Sequence, residues 1–239
     1  MRLTHPSPNH GERRDGARVE LIVLHYTVLD CVEAVERLCD PVAEVSAHYL
    51  IDRDGSVLSL VEEGARAWHA GAGSWQGRGD VNSRSIGIEL VNSGSEPFAE
   101  PQMAALERLL GEVMERHALS PRAVIGHSDM APDRKSDPGS RFDWRRLAMQ
   151  GLAVWPEALG PAPPSPRPSP PGGEGGAPDL AAFLADLRAF GYPEAAPEVL
   201  LAAFRLRFRP WEGGALDATD CALAAALRRF AVDGKRAGA

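Results

Sequence analysis

"VELIVLHYT" (residues 19–27) is the stretch that decides the fold, because its centre is an almost unbroken apolar run. A strand with one solvated face would alternate apolar and polar residues, whereas a run of this kind is typical of a strand buried on both faces. "CVEAVERLCD" (31–40) follows with apolar residues at helical spacing, and Pro41 ends the predicted helix. A buried strand followed by a helix indicates an α/β protein.

The segments on either side extend this pattern. "SAHYLIDRDGSVLSLV" (46–61) alternates about Asp54-Gly55, a hairpin dipeptide, and "SIGIELVN" (85–92) is a second apolar strand. "EPQMAALERLLGEVMERHAL" carries one apolar helical stripe, and "AVI" (123–125) reads as another buried strand. We therefore predict an α/β fold with a mixed central β-sheet flanked by helices.

A composition change near residue 160 divides the chain. "PAPPSPRPSPPGGEGGAP" (161–178) contains little besides proline, glycine and serine, which is typical of a linker. The sequence therefore predicts a domain at 1–160, a linker at 161–178 and a domain at 179–239. Apolar helical stripes in the last segment predict a small three-helix bundle able to fold alone, whose final helix is capped by Asp217 or Thr219.

Charge and composition exclude several classes of partner. The net charge of −7 comes without a long block of like charge, which argues against nucleic acid or an anionic membrane surface. No stretch reaches the roughly 18 apolar residues of a transmembrane segment, and the N-terminal segment has no apolar core of an export signal. We expect a cytoplasmic protein, or one of the periplasm or outer membrane if the start site is misassigned.

Histidines stand at the ends of two predicted strands. His25 follows "LIVL" and His127 follows "AVIG". A single histidine in such a place is more often satisfied by a backbone carbonyl, but two of them make a metal site conceivable. "GHSDMAPDRKSDPG" (126–139) loops away from His127 with two prolines and returns with Asp137 as a candidate third ligand. Imidazole and carboxylate suit zinc, which has four protein ligands in structural sites and three in catalytic ones.

Two further charged residues accompany these ligands. Glu89 lies in the middle of an apolar strand, where a carboxylate is costly unless it is paired or borders a cavity. A structural salt bridge is one interpretation, and a base that takes a proton from a metal-bound water is the other. Lys135 precedes Asp137 by two residues, so in an extended segment both side chains point the same way and the ammonium can stabilise an oxyanion. Arg134 would point away, as a salt-bridging residue.

Several motifs in fixed order resemble one known family. They are "LHYT", "SAHYLIDRDG", "WHAG", "NSRSIGIELVN" and "GHSDMAPDRKSDPG", and together they cover most of residues 5–157. The pattern resembles the zinc-dependent N-acetylmuramoyl-L-alanine amidases of the AmpD/AmiD type. The segment after the linker is similar to the helical peptidoglycan-binding modules that accompany such enzymes, although Arg205 replaces the glutamine that many of them carry. Arg205, Arg207 and Arg209 are interpreted as a solvated face.

The resemblance implies one Zn²⁺ per chain, bound by His25, His127 and Asp137, with Glu89 as catalytic base and Lys135 assisting at the transition state. It implies hydrolysis of the amide between N-acetylmuramic or 1,6-anhydro-muramic acid and the L-alanine of the peptide stem. The partners would be muropeptides or murein, in peptidoglycan turnover or recycling. Oligomeric state is left open, with a monomer favoured.

Four further residues are candidate substrate contacts, each with a structural alternative. Trp68 and His69 either line the substrate groove or form a packed tryptophan and a histidine behind a metal ligand. Asn82 and Arg84 either contact sugar or peptide, or form a turn before the Glu89 strand.

Two other readings of the whole chain stay open. A peptidoglycan recognition protein would bind muropeptides without cutting them, and it would be expected to lack a metal ligand or the base. A purely structural metal site would need a fourth protein ligand. Cys31, Cys39 and Cys221 are widely spaced and form no C-x-x-C pair, which argues against a disulfide framework and an all-cysteine zinc site.

Overall fold

The computed structural model describes residues 2–156 and 178–231, so nearly all of the predicted linker lies outside the described residues. The strands are β1 (Arg2–Thr4), β2 (His10–Gly11), β3 (Leu21–Tyr26), β4 (Tyr49–Ile51), β5 (Val57–Ser59), β6 (Arg66–Ala67), β7 (Ser85–Leu90) and β8 (Val124–Gly126). The α-helices are α1 (Cys31–Cys39), α2 (Val81–Arg84), α3 (Glu100–His117), α4 (His127–Met130), α5 (Trp144–Met149), α6 (Leu180–Phe190), α7 (Pro197–Phe208) and α8 (Ala218–Ala226). Short 3₁₀ turns cover Arg14–Gly16, Pro121–Ala123 and Leu227–Phe230.

Most strands form one mixed sheet of six strands in the order β1-β5-β4-β7-β3-β8. β3 lies parallel to both β7 and β8, and β4 is parallel to β7 but antiparallel to β5. The antiparallel pair is the predicted hairpin, whose turn is closed by a hydrogen bond from the amide of Gly55 to the carbonyl of Asp52. Helices cover the sheet on both sides, which confirms the predicted mixed α/β class.

β3 is buried on both faces, as its apolar run predicted. Ile22 and Leu24 belong to one hydrophobic cluster with the inner face of α3, whereas Leu21 and Val23 belong to a second cluster on the opposite face. α1 begins at a capping box in which Asp30 and Glu33 accept from each other's backbone amides. It ends at Cys39, since a residue before a proline disfavours the helical conformation.

The C-terminal helices α6, α7 and α8 cover the face of the sheet opposite α3. Phe183, Phe190 and Phe204 lie in the same hydrophobic cluster as Val23 and Ile125 of the sheet. Among the described residues, no helix combines the length and apolar character needed to cross a bilayer. The division into two domains stays a prediction, but the packing gives the two chain segments one common core.

Trp75 lies at a buried contact between the sheet-forming segment and the segment after residue 178. Its fully buried ring packs edge-on against Phe190 and Tyr192, with ring centroids 5.6 and 5.3 Å away. The loop between those residues approaches so closely that a Cβ on Gly191 would stand 2.6 Å from the indole. The backbone carbonyl of Gly191 also accepts from the amide of Gln76.

The interpretation of the α7 arginines as a solvated face is wrong. Arg205, Arg207 and Arg209 are only 6%, 2% and 7% exposed. Arg207 pairs with Asp129 of α4, and the other two pair with Asp220 of α8. Buried cations require such partners, and these carboxylates are distant in the sequence or on another helix. Of the two predicted caps for α8, Asp217 is the one that accepts from the helix backbone.

Candidate metal centre and active site

His25, His127 and Asp137 meet at one edge of the sheet. His25 lies near the carboxyl end of β3, and His127 comes directly after β8, the parallel neighbour of β3. The loop after α4 returns so that the carbonyl of Asp137 accepts from the amide of Ser128. Parallel strands bring their carboxyl ends to the same edge of a sheet, and ligand sites of α/β proteins form at that edge.

The three side chains converge closely and are buried. Oδ2 of Asp137 lies 2.8 Å from Nδ1 of His25 and 3.0 Å from Nδ1 of His127, and the two Nδ1 atoms are 2.9 Å apart. Each residue is less than a tenth exposed. Whether these contacts are hydrogen bonds or a ligand set depends on where the imidazole protons are.

The proton of His127 is fixed by a backbone carbonyl. Its Nε2 lies 2.9 Å from the carbonyl oxygen of Ala70, which only accepts. Nε2 therefore carries the proton, and Nδ1 of a neutral His127 presents a lone pair to Asp137.

The proton of His25 is fixed through a longer chain. Ser85 donates its single hydroxyl proton to the carbonyl of Val81 at 2.6 Å, so its oxygen accepts from Nε2 of His69 at 3.1 Å. Nδ1 of a neutral His69 then accepts from Nε2 of His25 at 3.0 Å. His25 is thus protonated on Nε2, and its Nδ1 also presents a lone pair to the centre.

Burial and neighbouring charges keep the rings of His25 and His69 neutral. Burial, together with the adjacent His127 and Lys135, lowers the pKa of His25 to about 4 against the opposing effect of Asp137. Burial, with the neighbouring His25 and His48, holds the pKa of His69 well below its ordinary value.

Two imidazole lone pairs and a carboxylate oxygen therefore face one another without a proton between them. Three acceptors in such proximity repel one another unless a cation lies among them. Two nitrogens and one oxygen form a donor set that suits zinc, and their mutual distances of at most 4.8 Å allow one ion to reach all three. The residues present fit a metal ion, and within the described ranges this cluster has no fourth protein member.

Glu89 borders the same centre. It pairs in register with His25 across the β3–β7 ladder, so both side chains project from one face of the sheet. Its Oε2 is buried without a hydrogen-bond partner, and no salt bridge to Glu89 is found in the part of the chain that the structure describes. Burial raises the pKa of Glu89 to about 8, the charge of Asp137 adds to the effect, and Lys135 opposes it. This environment favours the proton-accepting interpretation over a structural ion pair.

A cavity of about 420 Å³ opens onto these groups. Its lining includes the three clustered residues together with Glu89, Lys135 and Trp68. Lys135 lines this cavity, and so does Arg134, which was expected to point away. Arg134 differs from the expectation of a salt bridge, because its guanidinium donates to the carbonyls of Ala70 and Ala72.

The four candidate substrate residues take different places. Trp68 and His69 both line the cavity, and His69 also contacts Nε2 of His25 and holds its tautomer. Oδ1 of Asn82 accepts from the amides of His69 and Ala70, which fixes the backbone of the "WHAG" motif. Arg84 is buried and donates to Glu20 and to the carbonyls of Trp75 and Arg78. These positions favour the structural alternative for His69, Asn82 and Arg84.

Two positions that contribute to the site were not singled out from the sequence. Ser85 completes the hydrogen-bond chain behind His25, and Gly87 leaves room for the ring of His69, which would lie 2.3 Å from a Cβ there. The signal was the run of small residues, Ser85 and Gly87, that shares a strand face with Glu89.

Comparisons with known proteins show the family of this chain. Residues 15–140 match the family model described as N-acetylmuramoyl-L-alanine amidase. The amidase AmiD of Escherichia coli K12 is 35% identical over 88% of this chain and 82% of its own length. The amidase AmpD of Haemophilus influenzae is 35% identical over 59% of this chain and 86% of its own.

A solved structure shows the same arrangement over most of the chain. The complex of E. coli AmiD with the substrate anhydro-N-acetylmuramic acid-L-Ala-D-gamma-Glu-L-Lys superposes with a TM-score of 0.76 at 33% identity. The match covers 92% of this chain and 93% of that one. Because a family model matches residues 15–140, and a relative and a solved structure match most of the chain, this chain belongs to the N-acetylmuramoyl-L-alanine amidase family.

Proposed function

We propose that this protein is a zinc-dependent amidase that hydrolyses the amide bond between N-acetylmuramic acid, or its 1,6-anhydro form, and the L-alanine of the peptide stem. The observation that carries the proposal is the convergence of two lone-pair imidazoles and a carboxylate beside Glu89, whose Oε2 is buried without a hydrogen-bond partner. The chemistry that zinc supplies when bound is Lewis acidity, which eases the ionisation of water and polarises a carbonyl.

His25, His127 and Asp137 would hold the ion, with a position left for solvent because the described cluster has three members. The proton on Nε2 of each histidine is retained by a fixed acceptor, so both Nδ1 atoms stay available as ligands. Trp68, at the cavity wall, would contact the substrate.

Glu89 would accept the proton that water loses on attacking the carbonyl carbon and deliver it to the amine nitrogen that leaves. A base whose pKa lies near neutrality performs both transfers efficiently. Burial raises the pKa of Glu89 to about 8 in the metal-free protein. Lys135, on the same cavity, would donate to the oxygen that becomes negative during attack.

Muropeptides are the substrate class we propose, because the related E. coli AmiD structure carries an anhydro-muramyl tripeptide described as its substrate. The deciding experiment incubates the purified protein with that compound and measures free tripeptide by mass spectrometry, with and without a chelator. We expect cleavage that the chelator abolishes and added Zn²⁺ restores.

The matched variant is H127A, which removes one ligand and should lose both zinc and cleavage. Cleavage that survives complete removal of metal would overturn the zinc mechanism. Binding of the muropeptide without cleavage by the zinc-loaded protein would instead identify a recognition protein.

A further inference from the structure

Asp129 connects the turn that carries His127 to the C-terminal helices. Its Oδ2 accepts from the amide of Gly126 at 2.8 Å, and this hydrogen bond spans His127 at the start of α4. The same oxygen accepts from Nη1 of Arg207 at 2.5 Å, and Oδ1 accepts from the hydroxyl of Tyr192 at 2.6 Å. Every partner of this carboxylate outside its own turn thus comes from the segment after residue 178.

Arg207 is held from several sides. Its side chain is 1% exposed, as is that of Asp129. Its guanidinium carbon lies 4.1 Å from the ring centroid of Trp144, and its Nη2 donates to the carbonyl of Val124 in β8. One side chain of α7 therefore contacts β8, α4 and α5, the elements around the metal ligand.

A buried ion pair of this kind is a weak source of stability, since desolvation offsets most of the Coulombic attraction. What a hydrogen-bonded pair provides, and an apolar contact does not, is one defined orientation of the groups that it joins. Here the oriented group is the four-residue turn that begins with His127.

The same turn also reaches the third ligand. The amide of Ser128 donates to the carbonyl of Asp137 at 2.9 Å, so a displacement of α4 moves Asp137 as well. The orientation that Arg207 imposes through Asp129 is therefore transmitted to two of the three proposed ligands.

We infer that Asp129, Arg207 and Tyr192 are positioning residues of the metal centre, through which the C-terminal helices set its affinity for zinc. The inference rests on the proposed function, because it takes His25, His127 and Asp137 as zinc ligands. It gives the segment after residue 178 a role in the reaction centre that is independent of any binding to glycan.

The test compares zinc affinities of full-length, metal-free proteins by competition with a chromophoric chelator. The variant D129N/R207M removes both charges while leaving an acceptor for the amide of Gly126. We expect its zinc affinity to fall about 10- to 100-fold, the usual effect of losing a group that orients a ligand. Y192F, which loses one hydrogen bond, should show a smaller fall in the same direction.

The matched control is R205M/D220N. Arg205 lies on the same helix, pairs with Asp220 at 2.5 Å and is also buried, but its partners all follow residue 178: Asp217, Asp220, Gly214 and Ala215. This control should lose stability comparably and bind zinc like the wild type, which separates positioning from general destabilisation. Far-UV circular dichroism establishes that each variant is folded.

If D129N/R207M does not fold, R207K decides the question. Lysine keeps the positive charge but lacks the planar guanidinium with its several N–H donors. We therefore expect R207K to fold and to bind zinc more weakly than the wild type. The inference, but not the proposed function, would be overturned if folded D129N/R207M bound zinc as tightly as the wild type. If the double variant is unfolded, the same result in R207K would overturn it. A wild-type protein that takes up no zinc would overturn the proposed function together with it.

Discussion

His25 and Glu89 are register partners on the adjacent parallel strands β3 and β7. Partner residues project from the same face of a sheet, so the proposed ligand and the proposed base stand side by side by virtue of backbone pairing alone. A slip of one residue would turn Glu89 into the α3 core. The apolar residues Ile86, Ile88 and Leu90 on the other face prevent that slip.

Replacement of Glu89 by glutamine keeps the size of the side chain but removes its ability to accept a proton. We expect E89Q to retain full zinc occupancy and to lose about 10²- to 10⁴-fold in turnover, the usual contribution of a positioned base. Metal analysis and the tripeptide release assay measure the two quantities on one sample. Wild-type turnover in E89Q would return Glu89 to a purely structural role.

The raised pKa of Glu89 predicts that this residue lowers the free energy of unfolding of the metal-free protein in a pH-dependent way. Between pH 4.5 and about 8 the unfolded chain ionises Glu89 while the folded chain keeps it protonated. For this group the unfolded state therefore binds fewer protons, and the contribution of Glu89 to wild-type stability falls as pH rises through this window. E89Q lacks this effect, so its free energy of unfolding relative to wild type should increase with pH. Denaturant titrations across the window test this, and a constant difference would contradict the raised pKa.

His69 is expected to act on the metal through His25. H69F fills the same space but offers no acceptor for Nε2 of His25, so that the ring can present a protonated Nδ1 to the centre. We expect zinc affinity to fall about 10- to 100-fold, and S85A to show a weaker effect because it acts one residue further away. Competition titration measures both, and equal affinities in all three proteins would show that the tautomer is not set this way.

Gly87 should not tolerate a side chain. A Cβ there would lie 2.3 Å from the ring of His69, which is buried and held by hydrogen bonds to His25 and Ser85. We expect G87A to lose zinc affinity and thermal stability together. G111A is the control, since Gly111 lies within α3 with open space around it, and alanine there should stabilise by about 0.5–1 kcal/mol. Similar melting temperatures for the two variants would contradict the predicted clash.

Much of the fold was visible in the sequence because its long elements carry periodic signals. β3, β7, the hairpin and α3 all appear where periodicity placed them. β1, β2 and β6 were not predicted, because strands of two or three residues are too short to show a period. The linker and the two-domain division stay predictions.

The candidate site was also predictable only in part. The convergence of His25, His127 and Asp137 was predictable because each follows a recognisable strand or turn. The support behind them was not, since the tautomer of His25 depends on contacts among His69, Ser85 and Val81 that no spacing encodes. The burial of Arg207 was hidden for a similar reason: its carboxylate partner lies 78 positions earlier.

The packing of Trp75 has a consequence for biosynthesis. On the ribosome, β3, β8 and all three proposed ligands emerge well before Phe190 and Tyr192, which cover the indole. Until α6 and α7 arrive, the nascent chain lacks the partners of both Trp75 and Asp129. Packing around the catalytic residues is therefore completed only when α6 and α7 arrive, and a ribosome stalled before α7 would carry an incomplete enzyme with an uncovered apolar face.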